Sequence, residues 1–527
     1  MTLLDSANIA SPLYSIAELR AIEQAANQTL PQGTLMQRAG QAAASHALKI
    51  LHGLEQSDAG HMRVLVLAGP GDNGGDALEA AAHLAGSGIE VLVWQAPEAR
   101  ATSPEREQAL SRARNSAARL ITANAGSASA LAAVHAAPWN LVIDGLFGIG
   151  AARPLAGECR EVVLHVNQLA CPVLALDVPS GLQADTGVVD GVAIRASHTL
   201  TFIGDKPGLH TGDGRDYAGE VEIAGLAIDP LLLAQAHAQL NGLHLFARHL
   251  RTRRQNSHKG SYGSLAVIGG AQGMAGAPIL AARTALHAGA GRVTIAFPDH
   301  QPAFDSGQPE LMCRGADGVD LSGLHFSALV AGPGLGGSGL GGGIDNADTV
   351  ELLQRALDSD SPLVLDADAL NLMAAEPELQ SALALRAGAT ILTPHPLEAA
   401  RLLGVTAAIV QAERLENARE LAQRLNAVVV LKGAGSVIAR PDGEVAINPT
   451  GNPGLATGGS GDVLAGLCGA LLGQGWPAWE AALGAVWLHG AAADRLVAGG
   501  AGPIGLTAGE LPRAIRAEYN ALVDSLA

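Results

Sequence analysis

Residues 456–466, ATGGSGDVLAG, join an anion cradle to a base. Gly458, Gly459 and Gly461 reach backbone angles closed to side chains, so consecutive N–H groups can converge on one anion. Leu464, Leu467 and Leu471 recur at helical spacing, which predicts a helix beginning near Gly461 with its positive end toward a phosphate. Asp462 falls in that first turn, placed to take a proton from a hydroxyl while the cradle holds a transferring phosphoryl group. An Asp there also serves as a plain helix cap, so the motif alone leaves both roles open. Four further segments bear on the choice. Lys432-Gly433-Ala434-Gly435-Ser436 ends an all-apolar run and reads as a nucleotide-phosphate clamp or an ordinary turn. Gly332-Pro333-Gly334 allows close backbone approach to a ligand. Thr393-Pro394-His395 sets an imidazole at another strand end, where it touches ligand or is structural. Asp366-Ala367-Asp368-Ala369-Leu370-Asn371 offers carboxylates to magnesium and substrate, with a helix N-cap the competing role for Asp368.

The first half carries a second constellation. Gly69-Pro70-Gly71-Asp72-Asn73-Gly74-Gly75-Asp76 follows one β-rich run and precedes a helical stretch, a geometry suited to a pyrophosphate. It is not a GxGxxG fingerprint, because Asn73 and Asp76 add polar side chains that a plain dinucleotide fold lacks. Asp144, Gly148-Ile149-Gly150-Ala151-Ala152-Arg153-Pro154, and Asp177-Val178-Pro179-Ser180 close two later runs in the same way. Capping of a helix or turn is the alternative for Asp144 and Asp177. Lys206 is placed near the same cleft, with its role open.

Positioning these residues requires strands that end where they begin. RVLVLAG from Arg63, EVLVW from Glu90, LVIDG from Leu141 and VLALDVPSG from Val173 alternate with helical stretches at 77–84 and 104–120. Ser15-Ile16-Ala17-Glu18 is a capping-box pattern predicting a helix to about Asn27. A second alternation runs through SLAVIGG, RVTIAF, ALVAGPG, PLVLDAD, TILTPHP and AVVVLKGAG. Strand, loop and helix in this rhythm indicate a parallel sheet with helices on both faces and ligands at the carboxyl ends of strands. The pattern lapses between about 226 and 250. The expected division is a domain at 1–225, a linker at 226–244 and a domain at 245–527. The glycine run 332–343 lies directly after a strand and reads as a mobile site loop rather than a junction.

Composition narrows the class. At 527 residues the chain exceeds one core, and 48% apolar with 16% charged residues describes a well-packed globular protein. A formal charge of −17 with no basic face excludes nucleic acid as a partner. The four cysteines show no CxxC spacing, so neither zinc nor a disulfide framework is expected. The first fifteen residues lack a basic stretch followed by an apolar one. The longest weakly apolar run, 463–472, is too short to span a bilayer. The expectation is a cytoplasmic protein with no membrane contact, acting on small molecules as a homo-oligomer.

SHKGSYG, GGAQGMAGAPILAARTAL, AGPGLG, LDADALN, TPHPLEAARLLG, LKGAG and NPTGNPGLATGGSGDVLAG, in that order, resemble the ribokinase-like superfamily. More closely, they resemble its nucleotide-dependent NAD(P)H-hydrate dehydratases, over nearly all of 250–520. Across 13–225 the first half resembles the NAD(P)H-hydrate epimerases. The resemblance implies an α/β fold of two domains, an N-terminal Rossmann-like and a C-terminal ribokinase-like three-layer sandwich. It implies nucleotide contacts at Lys432 to Ser436 and Gly461, and hydrate contacts at Ala277, Gly334 and His395, with Asp462 as acid–base residue. In the first domain it implies a potassium ion at Asn73, Asp144 and Ser180. Hydrate contacts there fall at Asp72 to Asp76, Gly148 to Pro154 and Asp177, with Asp177 transferring the proton. Asp462 would deprotonate the ring hydroxyl, ADP would phosphorylate it with Mg2+ present, and elimination would restore NADH or NADPH. The epimerase would interconvert the R and S forms, of which the dehydratase takes the S form. The chain departs from the family pattern at Asp72 (usually Asn), Ala77 (Gly), Leu397 (Gly), Ser436 (Thr) and Leu455 (Met). Rival readings are a vitamin-precursor kinase, which leaves the first half unexplained, and a ligand-sensing first domain without turnover. A plain NAD oxidoreductase is the third, and it lacks the acidic ribose reader.

Overall fold

Strands buried along their whole length on both faces, with amphipathic helices between them, produce two separate α/β units, residues 11–238 and 239–527. The computed structural model describes residues 11–54, 62–97, 103–123, 128–135, 138–150, 154–233, 236–299, 302–321, 326–336 and 346–526.

In the first unit the strands are β1 Arg63–Ala68, β2 Glu90–Gln95, β3 Arg119–Thr122, β4 Leu141–Gly145, β5 Val173–Leu176, β6 His198–Phe202 and β7 Glu220–Ala224. They pair in the order β3-β2-β1-β4-β5-β6-β7, all parallel. The direction of winding reverses between β1 and β4, the place where open parallel sheets collect ligands. Alternation along β1 sends Val64, Val66 and Ala68 to one core and Leu65 and Leu67 to the other. The first core packs against α1 Ile16–Asn27, α2 Thr34–Leu54, α3 Asp72–Gly86 and α4 Pro104–Arg114. The second packs against α5 Gly157–Val166. This is the expected Rossmann-like sandwich. Ser15 forms the expected capping box, accepting from Glu18 N while Glu18 accepts from Ser15 N at 2.7 Å. One boundary differs from expectation: the helix predicted over 104–120 stops at Arg114, capped by Asn115. The β-favouring run Leu120-Ile121-Thr122 leaves it to pair with β2 as the sheet edge.

The second unit contains β8 Ala238–Leu240, β9 Ser264–Ile268, β10 Arg292–Phe297, β11 Met312–Gly315, β12 Ala328–Ala331, β13 Leu363–Leu365, β14 Thr390–Leu392, β15 Val428–Leu431, β16 Val437–Ala439 and β17 Val445–Ile447. Their order is β8-β17-β16-β15-β14-β13-β12-β9-β10-β11, parallel from β15 to β11 and antiparallel across β15-β16-β17. One face is covered by α6 Gly276–His287, α10 Ser460–Gly473, α11 Ala478–Ala498 and α12 Leu511–Leu526. The other carries α7 Ala367–Ala375, α8 Pro396–Leu403 and α9 Arg414–Leu425. This is the expected three-layer α/β arrangement. Of the stretch 226–244, Ala238–Leu240 forms the strand next to β17, and a short helix follows at Leu243–Phe246, while Asn241 N donates to Ile447 O at 2.8 Å. No helix among the described residues is long and apolar enough to cross a membrane. All four cysteines are free thiols.

Candidate active sites in the two units

The first site lies at the carboxyl ends of β1, β4 and β5. Gly71 is the N-cap of α3, so the GPGDNGGD segment turns directly from strand into helix. The turn is tight: a Cβ at Gly69 would lie 1.7 Å from the Leu146 carbonyl oxygen, and one at Gly74 2.0 Å from that of Gly69. Asn73 Nδ2 donates to Leu176 O at 3.1 Å, while its Oδ1 is buried with no hydrogen-bond partner in the protein. Asp144 is fully buried; Ser180 donates to it from N at 2.8 Å and from Oγ at 2.7 Å. Burial drives the Asp144 carboxyl up to about 6 against the pull of those donors. Asp177, held at φ +68°, pairs with the buried Lys206 Nζ at 2.8 Å and accepts from Ile149 N at 3.2 Å. Lys206 also donates to Thr201 Oγ1 at 2.6 Å, which fixes the ammonium against Asp177.

A cavity of about 1350 Å³ gathers Asp72, Asn73, Asp76, Gly148, Ile149, Gly150, Pro154, Asp177 and Lys206. It also takes in Arg20 and Glu23 of α1, which sequence reasoning did not single out. Burial, with Asp177, Asp72 and Glu23 nearby, raises Asp76 well above the usual carboxylate range. Burial, then Asp72 and Asp177, likewise raises Glu23. The lining thus carries Glu23, Asp72, Asp76 and Asp177 against the cations Arg20 and Lys206. Asp72 is exposed and its Oδ1 accepts from Ser103 Oγ at 2.9 Å, which turns that carboxylate toward α4. Ala151, Ala152 and Arg153 lie outside the described residues.

The second site forms where β12, β13, β14 and β15 end beneath the start of α10. The helix begins at Ser460 with Gly459 as N-cap, one residue before the expected start, and Asp462 is in its first turn. Lys432 Nζ lies 2.8 Å from Asp366 Oδ1 and 3.9 Å from Glu398 Oε2, and 3.3 Å from where a Cβ on Gly461 would be. Burial, then Asp366, raises the Asp462 carboxyl to about 7, although Lys432 opposes the shift. Burial, outweighing Lys432, also raises Glu398 to about 7. For Lys432 burial pulls the ammonium down, but Asp366 and Glu398 prevail and hold it above its usual value. Gly433 to Ser436 continue from β15 as a loop with Gly433 at φ +143° and Gly435 at φ +59°. Gly334, at φ +58°, comes within contact distance of Ala277, since a Cβ on it would be 3.3 Å from that methyl.

Two expected residues take unexpected posts. His395 is the N-cap of α8: its Nδ1 accepts from Leu397 N at 3.1 Å and Glu398 N at 3.2 Å, and Glu398 accepts from His395 N at 2.7 Å. The N-cap of α7 is Asp366 rather than Asp368, whose Oδ2 instead accepts from Gly336 N at 2.9 Å. Asp368 thus tethers the glycine loop after β12, whose continuation at 337–345 lies outside the described residues. Glu398 was readable in advance, because His-x-x-Glu has capping-box spacing. Leu397 is exposed beside His395. Among the described residues no group of three or more His, Cys, Asp or Glu has metal-binding geometry.

Comparison with known proteins meets both units. The profile of the family described as NAD(P)H-hydrate dehydratase matches residues 265–515, and that described as YjeF-related protein N-terminus matches residues 32–208. The bifunctional NAD(P)H-hydrate repair enzyme Nnr of Moorella thermoacetica is 37% identical over 507 residues, 92% of this chain and 92% of that protein. The chain belongs to the bifunctional NAD(P)H-hydrate repair enzymes. The Escherichia coli K12 member is 39% identical over 444 residues, 82% of this chain and 81% of its own. A crystal structure of ADP/ATP-dependent NAD(P)H-hydrate dehydratase from Bacillus subtilis, co-crystallized with ATP/Mg2+, is 32% identical over 53% of this chain and 96% of that one, with a TM-score of 0.44. In this repair family the first unit is the epimerase half and the second the dehydratase half.

Proposed function

We propose that the second unit regenerates NADH or NADPH from the S hydrate with ADP as phosphoryl donor, and that the first interconverts the R and S hydrates. The observation that carries the dehydratase reading is the meeting of Asp462, Lys432 and Asp366 at the start of α10. Hydroxide at the 6 position of the hydrated ring is a poor leaving group. Asp462, with a carboxyl near 7, takes the hydroxyl proton as that oxygen attacks the terminal phosphorus. The bond from phosphorus to the nucleotide breaks, leaving a phosphate ester on the ring. Loss of phosphate and of the proton on the adjacent carbon restores the double bond. Lys432 to Ser436 and Gly461 hold the nucleotide phosphates, while Ala277, Gly334 and His395 meet the hydrate. Mg2+ would neutralise phosphate charge, with Asp366 and Asp368 the carboxylates that fit it, since magnesium is usually held by one or two carboxylates plus phosphates.

In the first unit, Asp177 moves the proton and Lys206 fixes its carboxylate. Substrate contacts run from Asp72 to Asp76 and from Gly148 to Pro154. Asn73, Asp144 and Ser180 suit a potassium ion: the unpartnered Asn73 oxygen and one buried carboxylate make an oxygen set too weakly charged for magnesium or calcium. Such an ion supplies positive charge to an acidic cavity. The reading includes a cytoplasmic, homo-oligomeric enzyme; the free thiols support the compartment, and light scattering on eluted protein tests the assembly. The deciding assay follows NADH absorbance on adding ADP or ATP, in parallel, to its hydrate. A vitamin-precursor kinase would give no return of absorbance with either.

A further inference from the structure

The loop that follows β15 is held from beneath by a charge that no motif announces. Arg414 opens α9 and is 1% exposed. Its Nη2 lies 3.3, 3.4 and 3.5 Å from the carbonyl oxygens of Leu431, Lys432 and Gly435, and Nη1 donates to Gln411 Oε1 at 2.6 Å. A trans peptide unit is planar, so a carbonyl turned toward Arg414 turns the next N–H away from it. The N–H groups of Gly433 and Ser436 are thereby directed to the opposite side. Gly433 completes the fit: its φ is +143°, and a Cβ there would lie 2.8 Å from Nη1 and 2.9 Å from Nη2. Burial lowers the guanidinium to about 10, which leaves it charged at neutral pH.

We propose that Arg414 is a positioning residue for the nucleotide, ordering the Lys432–Ser436 loop and placing a positive charge behind it to receive the phosphates of a nucleoside diphosphate. This rests on the nucleotide reading of that loop. A guanidinium is required because its planar fork serves several acceptors at once, whereas a lysine offers a point charge.

The test uses the full chain with Arg414→Lys, Arg414→Met, Gln411→Met and Lys432→Met, measuring kcat, KM for ADP and for NADH hydrate, ADP binding by calorimetry, and thermal unfolding. Epimerisation by the same chain is the internal control. Losing charge-assisted hydrogen bonds should raise KM and Kd for ADP by about tenfold in Arg414→Lys and about a hundredfold in Arg414→Met. The kcat at saturating ADP and the KM for hydrate should stay close to wild type. A lower kcat and melting temperature with unchanged ADP affinity would overturn the inference. Should Arg414→Met fail to fold, Arg414→Lys and Gln411→Met decide, since each must still weaken ADP; wild-type affinity in either overturns it. If Lys432→Met leaves ADP affinity untouched, the nucleotide reading itself falls. If Lys432→Met weakens ADP and the Arg414 variants do not, only the role of Arg414 falls.

Discussion

Replacing Asp462 by Asn should inactivate the dehydratase while stabilising its unit. The Asp462 carboxyl stands near 7 against an ordinary 3.8, a difference in proton affinity of about 4 kcal/mol. That value already includes the favourable charge of Lys432, so it measures the net resistance of the site to the carboxylate. The sign follows from proton counting. Between pH 4 and 7 the folded chain keeps a proton that the unfolded chain has lost. The contribution to stability is therefore full below about pH 4 and falls as pH rises to about 7. Asn carries no charge and removes that decline. Glu398, also near 7, remains in the variant and keeps its own share. At pH 8 the Asn variant should be more stable than wild type by about 2–4 kcal/mol, a rise of roughly 5–10 °C in the melting temperature of the second unit. At pH 4 the two should melt together. Kinetically, only about a tenth of wild-type Asp462 is ionised at pH 6, so kcat/KM should climb about tenfold to a plateau by pH 8. The Asn variant should lose on the order of 10²–10⁴-fold at every pH. Calorimetry at pH 4 and 8, with the NADH-return assay across pH 6 to 8, covers both arms. Equal melting at pH 8, or near-normal turnover of the variant, refutes the reasoning.

Asp144→Ala should weaken hydrate binding and epimerisation together and spare dehydration of the S hydrate. Replacing potassium by a bulky organic cation at equal ionic strength should slow epimerisation likewise, and equal rates in both salts would remove the ion. Lys206→Met leaves the partly exposed Asp177 carboxylate without its cation and should destabilise the first unit by about 1–3 kcal/mol, while Lys206→Arg restores part of that stability. Cut apart, the units should work separately, with 239–527 dehydrating only the S hydrate until 11–238 is added. A second unit begun at 245 lacks β8 and Asn241, whose Nδ2 donates to Asn448 Oδ1 and Leu483 O, and should melt measurably lower. Equal melting of the two pieces would show that β8 and Asn241 contribute nothing.

What the sequence displayed and what it concealed divide along one physical line. Gly69, Gly74, Gly334, Gly433 and Gly459 marked where the backbone turns sharply or comes close to something, because no other residue tolerates those positions. The acids beside them marked the charge each site handles. Neither signal names the other half of the contact. Gly433 lies against Arg414, Gly148 against Asp177, and Gly74 against the carbonyl of Gly69, which Arg106 holds from the far side at 3.0 Å. Arg414 and Arg106 open ordinary helices and read as surface charges until the sheet folds over them. His395 shows the same gap: at a strand end it reads as a ligand contact or a structural residue, and only the next turn of chain shows Nδ1 occupied by two backbone N–H groups. Its Nε2 faces Glu398 Oε1 at 3.2 Å, and Glu398 lies beside Lys432. The imidazole is therefore wired to the ammonium that meets the nucleotide, so a change at His395 should register in nucleotide affinity as well as in hydrate affinity.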